Sequence, residues 1–489
     1  MKKIKYLYLI ATQIFLTLSL QAENIYNASF FGIKSNGTTL NTTSIQKGID
    51  YISEKGGGTL RFYVGRYLTG TIELKPNVTL LLEEGAVLLG STNIYDYNVK
   101  EANPALVYAK SANNIAILGK GVIDGQGRDV AYNLVDQIHK GVMSDAFKYD
   151  RPNAKRPKAI YFRECNDIVI KNINIRDAAD WVTVYDQCEN VLIDSITIRS
   201  TTFWNNDGID IVDCKNFKLL NSYIDAADDA ICLKSHDRTK RNENIEIRNC
   251  VARSSANGIK FGTVSAGGYK NVKIINNKVY NTFRSAFTIA SPDGGIVEDI
   301  FVDSLYAYNT GNPIYLRTGS RWNNKRTSQL KNIVIQNFYA EITEDKPDVG
   351  YVYEGPIEDN ARNISPSSIV GLKDMNIDNI TLRNIEIVYP GNGNPNYAYR
   401  GTTQEELASI PEMTDSYPEF SQFKELPAWG FFVKHANNVI FDNVKLVARN
   451  SDYRPAIVFD QVNGHQLHKV VVEEKSKKSK KQIIKNNTK

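Results

Sequence analysis

A short pattern of polar and apolar positions recurs along the chain. Each copy begins with Asn or Asp, continues with apolar, variable and apolar residues, and ends with a polar pair before another apolar pair. The copies begin at Asn77, Asn114, Asp167, Asn190, Asn216, Asn244, Asn271, Asp299, Asn332, Asn379 and Asn438. From Asp167 to Asp299, successive copies are 23, 26, 28, 27 and 28 residues apart.

This spacing predicts stacked coils. Apolar and polar residues that alternate over four or five positions are typical of a half-buried strand. A strand this short cannot bury its apolar face alone, and three strands with three turns fill a coil of roughly 20–30 residues. The pattern therefore predicts an all-β, single-stranded parallel β-helix. A β-sandwich or propeller is the alternative, although propeller blades need roughly 40 or more residues per repeat.

The heads of the strands and the two ends of the repeat add detail. Asn tolerates left-handed backbone, so Asn at each head suits a sharp bend, and stacked Asn side chains can bond between coils. A helix is predicted over Thr43–Glu54, where Ile45, Ile49 and Ile52 share one face before the stop at residues 56–58. It would cap the first coil. Longer steps of 33, 47 and 59 residues after Asp299 predict insertions in turns, where binding loops usually lie.

The chain divides into three predicted regions. Residues 1–22 have a basic start, an apolar run and a small final residue, which predicts a signal peptide and a secreted or periplasmic protein. A retained single-span anchor is the alternative, and no Cys follows the run to accept a lipid. Residues 23–470 are predicted to form the β-helix catalytic domain. The basic segment 471–489 is predicted to be a disordered tail, or else to touch an anionic surface.

Composition and charge narrow the functional classes. Hydrophobic residues make up 42% and charged residues 23%, as in globular proteins. The net charge is +5, but the signal segment carries three Lys and the tail from Lys475 carries seven, which leaves −5 for residues 23–474. We therefore expect no nucleic-acid binding. No later stretch is apolar and long enough to span a membrane.

Cysteine and histidine usage predicts neither disulfides nor a metal centre. An odd number of cysteines, spaced about one repeat apart, fits a buried column better than a disulfide framework. They are Cys165, Cys188, Cys214, Cys232 and Cys250. The five His residues lack metal-ligand spacing, and no phosphate-binding loop is evident, so we predict no metal and no cofactor.

Two acidic segments stand out. One runs from Asn205 through Asp207 to Asp210, and the other contains Asp228 and Asp229. Asp207 and Asp228 are 21 residues apart, close to one coil, so stacking would place them about 4.8 Å apart. Like charges this close raise one pKa, and a protonated acid beside ionised carboxylates is what glycoside hydrolysis needs. A turn role is the alternative, and we prefer it for Asp210 and Asp225.

These motifs resemble glycoside hydrolase family 28, the polygalacturonase and rhamnogalacturonan hydrolase family. Its N-terminal segment is matched by residues 68–70 and 74–80, its Asn-Thr-Asp-Gly motif by 205–208, and its Asp-Asp motif with following Lys-Ser by 228–235. The resemblance covers nearly all of the mature chain. It implies a right-handed, pectin-lyase-like β-helix that cleaves glycosidic bonds with inversion.

The resemblance also implies roles for the acids. Asp228 would protonate the leaving oxygen, while Asp207 and Asp229 share the activation of a water. Asn205, in the same motif, is predicted to bind substrate. Inversion predicts a gap of about 6.5–9.5 Å between acid and base carboxylates.

Two family motifs are altered. Asn257 stands where the family has His in Gly-His-Gly, and it can hydrogen-bond an Asp or the sugar but cannot titrate. Lys260 follows and offers a charge, unless it is an exposed strand residue. The Arg-Ile-Lys motif, which grips the galacturonate carboxylate, is missing from residues 286–290. Arg317 and Arg321 are the nearest substitutes, each predicted as a substrate contact or, equally, as a surface cation.

The expected function is hydrolysis of α-glycosidic bonds in an acidic, pectin-type polysaccharide or oligosaccharide by a secreted monomer. Insertions that contain residues 417–419 and 426–430 would wall one end of a groove, which favours exo-action or a branched substrate such as rhamnogalacturonan. Trp322 and Trp429 are expected to stack on sugars or to cap the core. The alternatives are a β-helix polysaccharide lyase with Ca²⁺ and an Arg or Lys base, and a non-catalytic carbohydrate-binding β-helix.

Overall fold

The computed structural model describes residues 24–98, 103–145, 156–321, 326–348, 365–475 and 481–488. The signal peptide predicted for residues 1–22 lies outside the described residues, and so does Trp322.

Four helices and thirty strands make up the described chain. The helices are α1 (Thr42–Glu54), α2 (Gly127–His139), α3 (Pro395–Ala398) and α4 (Gln404–Ala408). The first strands are β1 (Ile25–Asn27), β2 (Gly58–Phe62), β3 (Gly65–Thr69), β4 (Ile72–Glu73), β5 (Val78–Leu82), β6 (Ala86–Gly90), β7 (Ala105–Lys110), β8 (Asn113–Gly119), β9 (Val122–Asp124), β10 (Lys158–Arg163), β11 (Asn166–Lys171), β12 (Asn174–Arg176), β13 (Thr183–Asp186), β14 (Glu189–Asp194) and β15 (Thr197–Ser200). The remaining strands are β16 (Ile209–Val212), β17 (Lys215–Leu220), β18 (Tyr223–Ala226), β19 (Ile231–Ser235), β20 (Asn242–Arg248), β21 (Val251–Ser254), β22 (Ile259–Ser265), β23 (Gly268–Ser291), β24 (Ile296–Thr318), β25 (Gln329–Ile342), β26 (Ser367–Val370), β27 (Ile377–Tyr389), β28 (Phe431–Ala448), β29 (Ile457–Glu474) and β30 (Ile483–Asn486).

The strands stack as a parallel β-helix with three faces. Strands three apart in the chain pair in parallel, so β13 pairs with β16 and β16 with β19. We call the face that contains these strands the first sheet; it also includes β4, β7, β10, β22, β26, β30 and segments of β23, β24, β28 and β29. The predicted fold is confirmed, and structural relatives described below share the right-handed parallel β-helix.

The core is a single apolar column inside the coils. On β16, Ile209 and Ile211 point into it, and Ile231, Leu233, Ile259 and Phe261 continue it on the next two strands. Because strand side chains alternate between faces, Asp210, Cys232 and Lys260 point outward. The first sheet therefore presents polar residues on its outer face in the middle of the molecule.

Asn ladders run along the outside at the bends. Asn216, Asn244 and Asn271 all have left-handed backbone, with φ of 52°, 59° and 51°. The side chain of Asn244 donates to Asn216 at 3.1 Å and accepts from Asn271 at 2.7 Å. A second ladder contains Asn221, Asn249 and Asn276. The predicted bend geometry and bonding between coils are confirmed.

The N-terminal cap is also confirmed. Helix α1 buries Ile45, Ile49 and Ile52 completely and packs on β2, β4 and β5. All five cysteines are free and buried. The predicted column holds for three of them, because the register of β11, β14 and β17 stacks Cys165, Cys188 and Cys214. Cys232 lies on β19, and Cys250 lies in the turn between β20 and β21.

The C-terminal tail differs from its prediction. Strand β29 continues past residue 470 to Glu474, and β30 pairs with Ile457–Asp460 of β29. Val470, Val472 and Ile483 pack against the core, so apolar residues within the basic segment add one further strand to the last coil. Among the described residues, no helix has the length and apolar character to cross a membrane.

Candidate active site

The three predicted acids lie just before consecutive strands of the first sheet. Asp207 precedes β16, and Asp228 and Asp229 precede β19. The Gly208 N–H donates to the Asp229 carbonyl at 2.9 Å, which continues the register that pairs Ile209 with Ile231. Asp207 is therefore stacked on Asp229, 22 residues later, whereas the sequence predicted a stack on Asp228.

Close approach of the two coils explains the glycine after Asp207. A Cβ on Gly208 would lie 2.5 Å from the Ala230 carbonyl oxygen and 2.4 Å from Ile224 Cγ2. Any larger residue would push the coils apart at the point where their acids meet.

The three carboxylates converge. One oxygen each from Asp207, Asp228 and Asp229 lies within 4.8 Å of the others. They meet because two of the acids sit on adjacent coils and the third is their chain neighbour. The predicted gap of about 6.5–9.5 Å between the acid and base carboxyl groups stays a prediction. Asp207 and Asp229 are 4% and 3% exposed, while Asp228 is half-buried and meets solvent.

Asp229 is held by two residues of the next coil. Lys260 Nζ donates to Asp229 Oδ2 at 2.8 Å, and Asn257 donates to Oδ1 from its side chain at 2.7 Å and from its backbone at 3.1 Å. Asn257 in turn accepts from the Ser285 N–H at 3.1 Å. Both residues that hold Asp229 are buried, so their predicted substrate contact is corrected: they hold a carboxylate instead.

Asp207 is held by Lys234. The ammonium group donates to Asp207 Oδ2 at 2.7 Å, to Cys232 Sγ at 3.1 Å and also to Asp210. The ring of Trp181, one coil earlier, lies 4.3 Å from Lys234 Nζ. Asp207 Oδ1 has no hydrogen-bond partner among the described residues, although it is buried. A water or sugar hydroxyl beside Asp228 would satisfy it.

Burial and neighbouring charges give the acids different pKa values. Burial raises the pKa of Asp228, and the charge of Asp229 raises it further. Burial also opposes ionisation of Asp229, but the ammonium groups of Lys260 and Lys234 outweigh it and lower the pKa of Asp229 to about 2. Burial raises the pKa of Asp210 to about 6. Burial also raises the pKa of Asp207 well above its ordinary value. Acids with a raised pKa beside a carboxylate with a lowered pKa match the arrangement predicted from the sequence.

A long insertion reaches the site from the C-terminal half. We call residues 390–428, between β27 and β28, the arm. The Tyr417 hydroxyl accepts from Lys260 Nζ at 3.1 Å, and Glu419 lies 3.4 Å from the guanidinium of Arg284. Leu407, Ile410, Phe420, Phe423 and Leu426 of the arm pack on outward residues of β24, β26, β28 and β29. The arm therefore covers the first sheet on the C-terminal side of the acids.

Arg317 holds the arm, so its predicted role as a substrate contact is corrected. It is 2% exposed, and its guanidinium donates to the carbonyls of Glu412 and, at 3.2 Å, of Met413. Arg321 is half-buried and forms a two-bond fork with Asp293 at 3.0 and 2.8 Å. Its contact with substrate stays a prediction.

The structure also locates two further residues for which the sequence predicts a possible contact with substrate. Asn205 is half-buried beside the acids and accepts from Arg156 at 3.2 Å, and its role in substrate binding stays a prediction. Trp429 is 1% exposed and packs on Tyr389 with ring centroids 5.7 Å apart. It caps the core and does not stack on sugars.

The sequence does not identify several residues of the site. Lys234 stands out only as part of its motif, and the pattern predicts a turn role for Asp210. Their partners come from a neighbouring coil, so only the register reveals the pairs. Tyr417 is 157 positions from Lys260, a separation that no local pattern reports.

Two groups of side chains have spacing that suits a cation. One is the acid trio, and the other is Asp207, Asp210 and Cys232, whose ligand atoms lie within 4.8 Å of one another. Lys234 Nζ bonds all three members of the second group, so an ammonium ion of the protein already neutralises it.

A β-helix whose outer face brings together acids with raised pKa values and a carboxylate with a lowered pKa suits glycoside hydrolysis. The sequence model of "Glycosyl hydrolases family 28" matches residues 61–289. An exo-poly-alpha-D-galacturonosidase from Dickeya chrysanthemi is 26% identical over 76% of this chain and 72% of its own length. An endo-polygalacturonase from Pectobacterium carotovorum subsp. carotovorum is 24% identical over 62% of this chain and 81% of its own length.

A solved structure supports the fold. The hyperthermoactive exopolygalacturonase of Thermotoga maritima is 20% identical, covers 86% of this chain and 91% of its own, and superposes with a TM-score of 0.62. The chain belongs to glycosyl hydrolases family 28 and is a glycosidase.

Proposed function

We propose that this protein hydrolyses α-glycosidic bonds in an acidic, pectin-type polysaccharide from a chain end or at rhamnogalacturonan. The observation that carries the proposal is the convergence of Asp207, Asp228 and Asp229 on the outer face of two coils. The names of the two sequence relatives support galacturonide-containing substrates. Lys260 and Arg284 supply positive charge beside Asp228, which favours an anionic sugar.

Each acid has a role that its surroundings support. Asp228 is the most exposed of the three and its pKa is raised, so it is suited to protonate the leaving oxygen. Asp229 is ionised and held by Lys260 and Asn257. Asp207 offers an oxygen with no partner among the described residues, where the attacking water can bind. Asp207 and Asp229 together would orient that water and take its proton.

The arm supports exo-action. It covers the outward residues Tyr315, Val370, Phe432 and Val458 of the first sheet. A polysaccharide that lies along this sheet cannot continue past the acids on that side, so one sugar or a short end must occupy it. Tyr417 is 44% exposed at this boundary and presents a ring to solvent.

The setting of the activity is part of the proposal. The basic and apolar start of the chain supports export through a cleaved signal peptide. Acting outside the cytoplasm as a monomer, the enzyme would degrade pectin of plant cell walls.

Replacement of the proposed acid tests the function. We expect the parent protein to release reducing sugar from homogalacturonan or rhamnogalacturonan, with one short product size from the first minutes. Asp228→Asn should lower kcat roughly 100- to 10,000-fold, the usual contribution of a general acid. Its thermal stability should change little, because the amide keeps the shape of the half-buried carboxyl.

Asp442→Asn is the matched control, because this exposed acid pairs with Arg383 on another face. It should retain parental activity. Full activity of Asp228→Asn on every substrate that the parent cleaves would disprove the acid assignment. Products that absorb in the near ultraviolet would indicate a lyase, and binding without turnover by the parent would indicate a carbohydrate-binding protein.

A further inference from the structure

The surroundings of Lys234 are unusual for a lysine. Its side chain is 6% exposed, although a buried ammonium group loses its hydration. Two carboxylates, a thiol and an indole ring replace that hydration. The bonds reach Asp207 on the preceding coil, and the ring of Trp181 comes from the coil before that. Residues from three consecutive coils are thus needed to build one cation site.

The ammonium group of Lys234 also has a specific position relative to Asp207. Lys234 bonds Asp207 Oδ2, while Asp207 Oδ1 has no hydrogen-bond partner among the described residues. The carboxyl is therefore fixed in rotation by one oxygen while the other remains available. A metal ion in such a place would orient and ionise a ligand in the same way, and Asp207, Asp210 and Cys232 have metal-like spacing.

We propose that Lys234 is a positioning residue that acts as a built-in cation: it orients Asp207 and favours its carboxylate form beside the attacking water. This inference rests on the proposed function, because it assigns Asp207 to water activation. Lys234 does not touch the substrate and acts through Asp207. The Trp181 ring lies over the ammonium group, 4.3 Å from Lys234 Nζ.

Asp210 opposes the effect of Lys234 on the pKa of Asp207, so substitution of Asp210 provides a second test. It competes for the same ammonium and adds a negative charge that raises the pKa of Asp207. Burial raises the pKa of Asp207 well above its ordinary value, and Lys234 offsets part of that rise. The pKa of Asp229 is lowered to about 2, so we assign the acid limb of activity to Asp207. The charged and titratable groups that face this cluster are Asp207, Asp210, Asp228, Asp229, Cys232, His236, Lys158 and Lys260.

The sign of each effect follows from the need for ionised Asp207. Activity is lost as pH falls through the pKa of Asp207. Lys234→Met removes the cation and should move the acid limb of kcat/KM to higher pH by about 1–3 units, the range for loss of an opposite charge within 4–6 Å. Asp210→Asn removes a like charge and should move the same limb to lower pH. Lys234→Arg keeps the charge and should restore most of the parental profile.

Opposite shifts distinguish a charge effect from loose packing, which would lower activity in both variants without moving their limbs in opposite directions. The proposal would be overturned if the acid limb of kcat/KM lay at the same pH in Lys234→Met and the parent. It would also be overturned if Lys234→Met and Asp210→Asn moved that limb by equal amounts in the same direction. Circular dichroism of each variant confirms that it is folded.

An infrared titration makes the test independent of the substrate. Aspartate labelled with ¹³C gives carboxylate bands, and the difference between the parent and Asp207→Asn isolates the Asp207 band. We expect this band to appear at lower pH in the parent than in Lys234→Met. If the parent hydrolyses no uronide but the band still shifts, the function is wrong and the cation role stands. An unshifted band refutes the cation role even if the function is right.

Discussion

At the scale of residues, the surroundings of chemically identical carboxyl groups give them different pKa values. The pKa of Asp229 is lowered to about 2 and that of Asp210 is raised to about 6, although the two acids lie on adjacent coils. The difference arises because Asp229 is the one acid of the cluster that Lys260 and Asn257 bond, whereas Asp210 shares Lys234 with Asp207. A cluster of like charges is tolerated because ammonium groups are built between its members.

The spacing of the acids bears on stereochemistry. Nearest oxygens within 4.8 Å are closer than the separation usual for inverting enzymes and nearer to the 5–5.5 Å of retaining ones. We nevertheless expect inversion, because Asp207 and Asp229 can hold a water jointly from one side while Asp228 protonates the leaving oxygen. Proton NMR in the first minutes should show the β-anomer of the product from an α-linked substrate.

The α-anomer as the first product would contradict a water held by the acid pair. It would instead assign one carboxylate as a nucleophile that forms a glycosyl-enzyme intermediate. Mutarotation is the main source of error, and a substrate-free mixture of the pure sugar provides its rate as a control.

The acids themselves could be predicted from sequence because two acidic motifs lie one coil apart. Their register could not, since the coil between Asp207 and Asp229 contains 22 residues and its neighbours contain up to 28. Turns absorb such differences without altering the strands. The same variation hid the bond between Lys234 and Asp207, which joins residues 27 positions apart.

At the scale of elements, the Asn ladders hold successive coils in register. Each Asn combines left-handed backbone with a side-chain bond to the coil on either side, as Asn244 does. Both features follow from residue type, since Asn accepts positive φ more readily than other residues with a Cβ. This is why the pattern alone predicted the bends and the ladder correctly.

Substitution within a ladder should separate its two contributions. Asn244→Ala loses two side-chain bonds and strains the left-handed backbone, so we expect a loss of about 1–3 kcal/mol in the free energy of unfolding. Asn244→Gly removes the bonds without the strain and should be about 1 kcal/mol more stable than the Ala variant. Urea unfolding followed by circular dichroism measures both. Equal stability of the two variants would mean that backbone strain does not contribute.

At the scale of the whole molecule, one region of a regular β-helix is specialised as the candidate active site. The coils supply a continuous core and a repeating outer face, and the arm interrupts this repeat near the acids. The sequence predicted an insertion there from the 59-residue step between Asn379 and Asn438. It could not predict the contacts, because those of Tyr417 and Glu419 depend on how the arm folds back over three earlier coils.

Arg317 is the residue on which the seating of the arm depends most. Its guanidinium joins β24 to the carbonyls of Glu412 and Met413, just before Tyr417 reaches Lys260. Arg317→Met keeps the apolar stem and leaves those carbonyls without their donor, which favours local opening of the arm. We expect faster hydrogen exchange in peptides from residues 404–423 and unchanged exchange in the first-sheet strands β13, β16 and β19.

Opening of the arm should also affect catalysis and product size. Displacement of Tyr417 and Glu419 disturbs Lys260 and Arg284, so kcat/KM should fall by roughly 100-fold, as small displacements near a reacting centre do. Longer products should appear, because the covered side of the first sheet becomes accessible. Arg383→Met is the control, since that arginine is 49% exposed and pairs with Asp442 away from the arm. Faster exchange over the whole β-helix would show that Arg317 supports global stability, and short products alone from an open arm would show that something other than the arm limits the cleft.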